Sequence, residues 1–190
     1  MIAGFLKKYL SELTGIINMV DGKEFEALIG ELASAYERQA NVFICGNGGS
    51  AATASHFACD MNKGVSFGKE KRFRVICLND SIPTIMAYSN DVSYESIFAE
   101  QLKNFMNEGD LLIGVSGSGN SENVLRAVRY ANESKGKTFG ICGYGGGRLK
   151  ETAQKSLVIN SNDMQKVEDA HLIILHCVMQ WFNSAAEGRS

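Results

Sequence analysis

The feature that most constrains this chain is a rhythm that begins at residue 41. Five short apolar runs, Asn41–Cys45, Phe73–Leu78, Leu111–Val115, Thr138–Cys142 and Leu157–Ile159, are separated by segments of helical length. The runs lack clean polar alternation, which is the pattern of strands covered on both faces. Strand and helix in alternation, with the strands buried, predict an α/β fold with a doubly wound parallel sheet. Residues 1–40 differ. Phe5, Leu10, Leu13, Ile16 and Ile17, then Phe25, Leu28, Ile29, Leu32 and Ala35, recur at helical spacing on either side of Asp21-Gly22. They predict two helices ahead of the first strand, packed on the core or on another subunit. The one proline, Pro83, is placed to open a helix after the second run.

With 190 residues, no internal repeat and no low-complexity linker, the sequence reads as a single domain over 1–190, with helices over 1–40 and the α/β core over 41–190. The last long segment, Met164 to Phe182, is apolar nearly all round. Such a helix is enclosed on most sides, and at the end of a small domain that predicts a subunit interface. A net charge of -2 argues against a nucleic-acid surface, and the basic cluster Lys69-Glu70-Lys71-Arg72 is short and interrupted. The N-terminal residues carry Lys7 and Lys8 without an apolar stretch long enough for a signal peptide or membrane span. Of five cysteines, Cys45, Cys77 and Cys142 end apolar runs, Cys59 and Cys177 do not, and no pair has CxxC spacing. That fits buried, reduced thiols and a cytoplasmic setting.

Ligands of such sheets bind beyond the carboxyl ends of the strands. Two turns there carry chemistry. Gly46-Asn47-Gly48-Gly49-Ser50 follows the first run; its glycines admit a ligand to the backbone, and a helix with free N–H groups follows. Ser116-Gly117-Ser118-Gly119-Asn120-Ser121 follows the third run and offers three hydroxyls and several amides ahead of a helix from about Glu122. Hydroxyls and amides at a helix N-terminus suit a phosphate dianion without Lys or Arg. A single such turn is as readily a flexible loop with a serine cap; two at equivalent positions of one sheet point to a phosphorylated ligand. A Walker nucleotide loop is excluded because GxxxxGK[ST] is missing. Gly46 to Ala51 matches a loose GxGxx[GA], but no acidic residue ends the second run, Asp80 coming too late. No nucleotide cofactor is therefore expected. A third cluster, Gly143-Tyr144-Gly145-Gly146-Gly147, reads as a tight strand-to-helix turn without chemistry.

All three histidines fall in helical segments. His56 and Asp60 are four apart and share a face. Glu168, His171 and His176 follow one another near the C-terminus, with Glu168 and His176 two turns apart and His171 rotated by roughly half a turn from His176. Two histidines and two carboxylates serve a divalent metal site, an acid and a base for proton transfer, or plain ion pairs.

These motifs together resemble the sugar isomerase domain family, and within it the phosphoheptose isomerases. The resemblance is carried by Gly46-Asn47-Gly48-Gly49-Ser50, His56-Phe57-Ala58, Asn90-Asp91, the serine turn, and a C-terminal helix with two histidines five apart, His171 and His176. It spans nearly the whole chain. It implies a five-stranded parallel sheet flanked by helices, a homotetramer with active sites between subunits, and a phosphorylated sugar as substrate. It implies substrate contacts from Asn47, Gly48, Gly49, Asn90, Asp91, Ser116, Gly117, Ser118 and Ser121, to which Ser50 and Glu168 are added. It implies a zinc site at His56, Asp60, Glu168 and His176, with Asp60 as candidate base and His176 as candidate acid. The chain departs from the family pattern at Asp60, where Glu is usual, at Glu168, where Gln is usual, and at Gly117, where Thr is usual. The implied activity is an aldose–ketose isomerisation of sedoheptulose 7-phosphate to D-glycero-D-manno-heptose 7-phosphate. Its rivals are an isomerase of another sugar phosphate and a non-enzymatic sugar-phosphate sensor or replication-initiator adaptor of the same fold.

Overall fold

The computed structural model describes residues 2–186. Helices α1 (Ile2–Ile17) and α2 (Gly22–Arg38) precede the sheet. They divide where the sequence breaks: the Asp21 side chain accepts the Lys23 N–H at 2.8 Å and caps α2. Strands β1 (Asn41–Cys45), β2 (Arg74–Cys77), β3 (Leu111–Ser116), β4 (Lys137–Cys142) and β5 (Lys155–Val158) form one parallel sheet in the order 2-1-3-4-5. The central strands β1, β3 and β4 are buried on both faces, as their apolar runs predict. The edge strand β2 instead alternates, with Val75 and Cys77 inward and Arg74 and Ile76 exposed. An edge strand has only half of the sheet's cover, so the period of two reappears there.

Side chains alternate across the sheet into two cores. Val42, Ile44, Leu111, Ile113, Val115, Phe139 and Ile141 pack with α2, α3 (Gly49–Cys59) and α8 (Met164–Ala186). Phe43, Cys45, Leu112 and Cys142 pack with α5 (Ile97–Phe105), α6 (Glu122–Glu133) and α7 (Gly147–Thr152). The remaining helix, α4 (Ile82–Asp91), carries Pro83 in its first turn. Cys45, Cys77 and Cys142 are buried and free, and burial raises their thiol pKa, to about 12 for Cys77 and Cys142. Cys59 and Cys177 are exposed.

In the order 2-1-3-4-5 the chain winds one way from β1 to β2 and the other way from β3 onward. The switch point lies between β1 and β3, which is where such sheets bind ligands. The two turns singled out in the sequence leave the carboxyl ends of those two strands.

The helix α8 is less enclosed than its composition predicts. Val167, Ala170, His171, Ile174, Leu175 and Val178 face the core, while His176, Cys177 and Trp181 are exposed. α1 is similar: Leu13 is buried, but Ile2, Phe5, Leu6 and Leu10 stand in solvent. Among the described residues no helix is long and apolar enough to cross a membrane.

Candidate active site

The serine turn is held by backbone and by its neighbours. The Gly119 N–H bonds the Ser116 carbonyl at 3.0 Å, and Gly119 itself takes φ +66°, a left-handed conformation that favours glycine. Ser121 stands at the N-cap of α6 but its side chain caps nothing; its hydroxyl faces the Ser116 hydroxyl at 3.1 Å. The capping role is therefore not the one the turn's serines play. The Ser118 hydroxyl accepts the Asn120 N–H at 3.2 Å.

The third glycine cluster, for which the sequence suggests no chemistry, is the buttress of this turn. The Gly143 N–H bonds the Gly117 carbonyl at 2.9 Å, and the Leu149 N–H bonds the Gly119 carbonyl at 2.9 Å. A Cβ on Gly119 would overlap the Gly146 carbonyl oxygen, so the two turns are in backbone contact. The sequence shows the glycine-rich turn itself, but only the sheet order, with β4 beside β3, places it behind Gly119. On the first turn of α6, Glu122 binds Arg129 and, at 3.5 and 3.2 Å, Arg126 and Arg148. The Arg129 hydrogen bond holds its carboxyl below the usual range. The acid next to the serine turn is thus matched by three cations.

The first glycine turn is clamped by Asn79, whose amide donates to the Gly46 carbonyl at 2.8 Å and accepts the Gly46 N–H at 3.2 Å. Asn47 reaches across to Asn123 on α6, and the Tyr94 hydroxyl donates to Asn47 Oδ1 at 2.9 Å. Neither Tyr94 nor Asn123 belongs to a motif. Ser50 is buried against Gly46. Asn90 and Asp91 end α4, exposed and bonded to each other at 2.8 Å.

An ionisable cluster comes from α3, the turn that extends it, and α8. His56 and Asp60, on one face as their spacing predicts, approach to 3.4 Å (Nε2 to Oδ2). His176 closes a triangle: its Nε2 lies 3.0 Å from that of His56 and 3.7 Å from Asp60 Oδ2. These three residues could hold a divalent cation. Asp60 begins a π-turn, Asp60–Val65, that extends α3; such turns recur at functional sites. Ser66 fixes its end by donating to the Met61 carbonyl at 2.8 Å and accepting the Phe73 N–H at 3.0 Å.

The structure does not bring Glu168 into this triangle. Its carboxylate lies over Gly49, where a Cβ would fall 2.5 Å from Glu168 Cδ. Gly49 is the first residue of α3, so the acid sits at the positive end of a helix dipole, a place where a carboxylate is stable and an amide gains less. His171 is 1% exposed, and neither ring nitrogen meets hydrogen-bond geometry with any described group. Burial lowers its pKa to about 4; the nearby Cys142 backbone only offsets part of that.

Residues 8–143 match the SIS domain family. The chain belongs to that family. The SIS protein is 34% identical to the phosphoheptose isomerase of Helicobacter pylori (strain ATCC 700392 / 26695) over 93% of each chain. It is 36% identical to that of Campylobacter jejuni subsp. jejuni (strain 81116 / NCTC 11828), over 83% of this chain and 88% of the other. A phosphoheptose isomerase structure from Neisseria gonorrhoeae superposes with a TM-score of 0.89 over 97% of this chain and 100% of that one; at 22% identity it speaks for the SIS fold.

Proposed function

We propose that this SIS protein is an aldose–ketose isomerase that converts sedoheptulose 7-phosphate to D-glycero-D-manno-heptose 7-phosphate. One observation carries the reading: a carboxylate and two imidazoles, Asp60, His56 and His176, converge within 3.0 to 3.7 Å where α8 meets the end of the helix that leaves the first glycine turn. Relatives similar over most of the chain are phosphoheptose isomerases, which supports this substrate class. His56 lies seven residues along α3 from Gly49, about 10 Å of helix, a reach suited to a long phosphorylated sugar.

Ser116, Ser118 and Ser121, with the amides around Gly117, hold the phosphate. Asn47, Gly48, Gly49 and Ser50 line the sugar, with Asn90 and Asp91 at its flank. Asp60 takes the proton from C1 while His176 protonates the C2 carbonyl oxygen, giving a 1,2-enediol. Asp60 then delivers its proton to C2 as the O1 hydroxyl returns one to His176, leaving the aldehyde and restoring both groups. Amides of the first turn offset the charge that develops on the oxygens.

The donor triangle fits zinc. Tetrahedral ligands at zinc distances lie about 3.3 Å apart, and the three observed edges bracket that value. His56, Asp60 and His176 would hold the ion, and Glu168 would join only after leaving Gly49. Bound zinc would polarise a sugar carbonyl. Asp60 on a cation is a weaker base, so the two roles compete for one carboxylate. The exposed stripe of Ile2, Phe5, Leu6 and Leu10, with Trp181, is the surface we assign to a homotetramer, in a cytoplasmic setting that keeps Cys59 and Cys177 reduced.

The test is a panel of five-, six- and seven-carbon ketose phosphates assayed with protein of measured zinc content. Turnover preferring seven carbons is expected. Binding without turnover across the panel rejects the enzyme and selects a sensor or adaptor.

A further inference from the structure

Asn123 stands in the first turn of α6 and is 2% exposed. Its side-chain amide meets that of Asn47 across the switch point. Asn47 Nδ2 donates to Asn123 Oδ1 at 2.8 Å, and Asn123 Nδ2 donates back to Asn47 Oδ1 at 2.9 Å. Exchanging oxygen and nitrogen on both side chains would preserve such a pair, so the pair alone does not fix its own sense. The Val124 N–H does. It lies 2.9 Å from Asn123 Oδ1, and a backbone N–H only donates. The oxygen of Asn123 is fixed there, and with it both ends of Asn47.

The Tyr94 hydroxyl is the third member, 2.9 Å from the same Asn47 Oδ1. A carbonyl oxygen has two lone pairs. Asn123 and Tyr94 fill both. Asn47 keeps one Nδ2 hydrogen without an acceptor among the described residues, and no acceptor capacity at all. The group offered to a ligand at the first glycine turn is therefore a donor and nothing else.

We infer that Asn123 and Tyr94 are positioning residues that lock Asn47 as a donor-only contact, so that the first turn selects an oxygen acceptor on the sugar phosphate and refuses a ligand that presents N–H there. The inference rests on the proposed sugar-phosphate site and adds to it the sense of one contact. It also gives the two turns a mechanical link. Asn47 belongs to the turn after β1 and Asn123 to the helix after β3, so the sugar and phosphate grips share one half-buried amide pair.

A double-mutant cycle tests this. Tyr94→Phe removes one hydroxyl from an exposed ring and leaves the fold alone. It raises the KM for the ketose phosphate about 3- to 10-fold, the worth of one hydrogen bond, with kcat within twofold. In an Asn47→Ala background the same change has no further effect, because its target is gone. Asn123→Asp keeps the acceptor for Val124 and for Asn47 Nδ2 but sets an oxygen against Asn47 Oδ1; KM rises by more than about 10-fold. A Tyr94→Phe effect that persists undiminished without Asn47, or an Asn123→Asp protein of unchanged melting temperature and KM, overturns the inference. If Asn123→Asp does not fold, the Tyr94 and Asn47 cycle decides alone. If the wild type binds sedoheptulose 7-phosphate without turning it over, the cycle is read in Kd by calorimetry, so loss of the isomerase reading and loss of this one are told apart. A wild type that neither binds nor turns over the sugar phosphate removes the site and the inference with it.

Discussion

The serine turn and the histidine cluster are built on opposite principles. The serine turn is main chain held by main chain: Ser116, Gly117 and Gly119 accept or donate backbone hydrogen bonds within the turn, to the loop after β4 and to α7. The cluster is three side chains from helices 120 residues apart in sequence, with His56 and His176 about half exposed. The turn cannot shift without disturbing two strand ends. The cluster is set by rotamers and helix phase, and a one-methylene change at Asp60 can be absorbed there. On the proposed roles, binding is thus the rigid half of the site and chemistry the adjustable half.

The largest effect tests whether the two halves separate. Asp60→Ala and His176→Ala are expected to lower kcat by about 100- to 10,000-fold, the range for a lost acid or base. Calorimetry should find Kd for sedoheptulose 7-phosphate within a few-fold of wild type. Full activity in either variant rejects the roles, and lost binding in both means that the halves are not independent.

Next comes the rigid half. Gly119→Ala places a Cβ on the Gly146 carbonyl and forces alanine to φ +66°. The left-handed backbone costs about 1–2 kcal/mol and the overlap about as much again. Chemical denaturation should show a loss of about 3 kcal/mol, with phosphate affinity falling alongside. A stable variant that has lost only affinity would mean that the turn is less fixed by its buttress than its hydrogen bonds imply.

How far each half was legible follows from the same contrast. Local patterns announced the strands of the centre, because β1, β3 and β4 are apolar on both faces. β5 begins at Lys155, two residues before its apolar run, since Lys155 and Ser156 pair with β4 through backbone alone. The glycine and serine turns were legible as turns because clustered glycine, serine and asparagine mark such turns. The opposite exposures of His171 and His176 follow from helical spacing. The π-turn after Asp60 was not legible, as no residue pattern encodes a shift from i+4 to i+5 bonding. Nor was Glu168 over Gly49, Asn123 on Asn47, or the loop after β4 behind Gly119. Each of these is a contact between segments far apart in sequence, and only the sheet order brings them together.

His171 is buried on α8, the helix that carries His176, and its titration measures how firmly that helix is seated. Its pKa is about 4 in the folded protein against 6.5 for the free group. Above pH 6.5 both states are neutral and nothing is lost. As pH falls from 6.5 towards 4 the unfolded chain takes up the proton and the folded protein does not. Stability then declines by a total on the order of 3 kcal/mol. His171→Gln should remove that slope from denaturation curves taken at pH 7, 5.5 and 4.5. An unchanged slope means that the ring is reached by solvent or by a partner through motion of α8.

The smallest effect concerns Gly117. A Cβ there would meet Met164 Sδ at 2.5 Å, so the first residue of α8 fills the volume that a threonine would take. Methionine is flexible and can yield. Gly117→Thr should therefore cost no more than about 1 kcal/mol, and Met164→Ala in the same chain should cancel the cost. The added hydroxyl would give the phosphate turn a further donor, and Kd for the sugar phosphate should fall by a few-fold. If the double variant is as unstable as the single one, Gly117 is required by the backbone of the turn and not by the methionine packed above it. The hydrogen bond that Gly117 accepts from Gly143 would then mark a position where the backbone itself demands glycine.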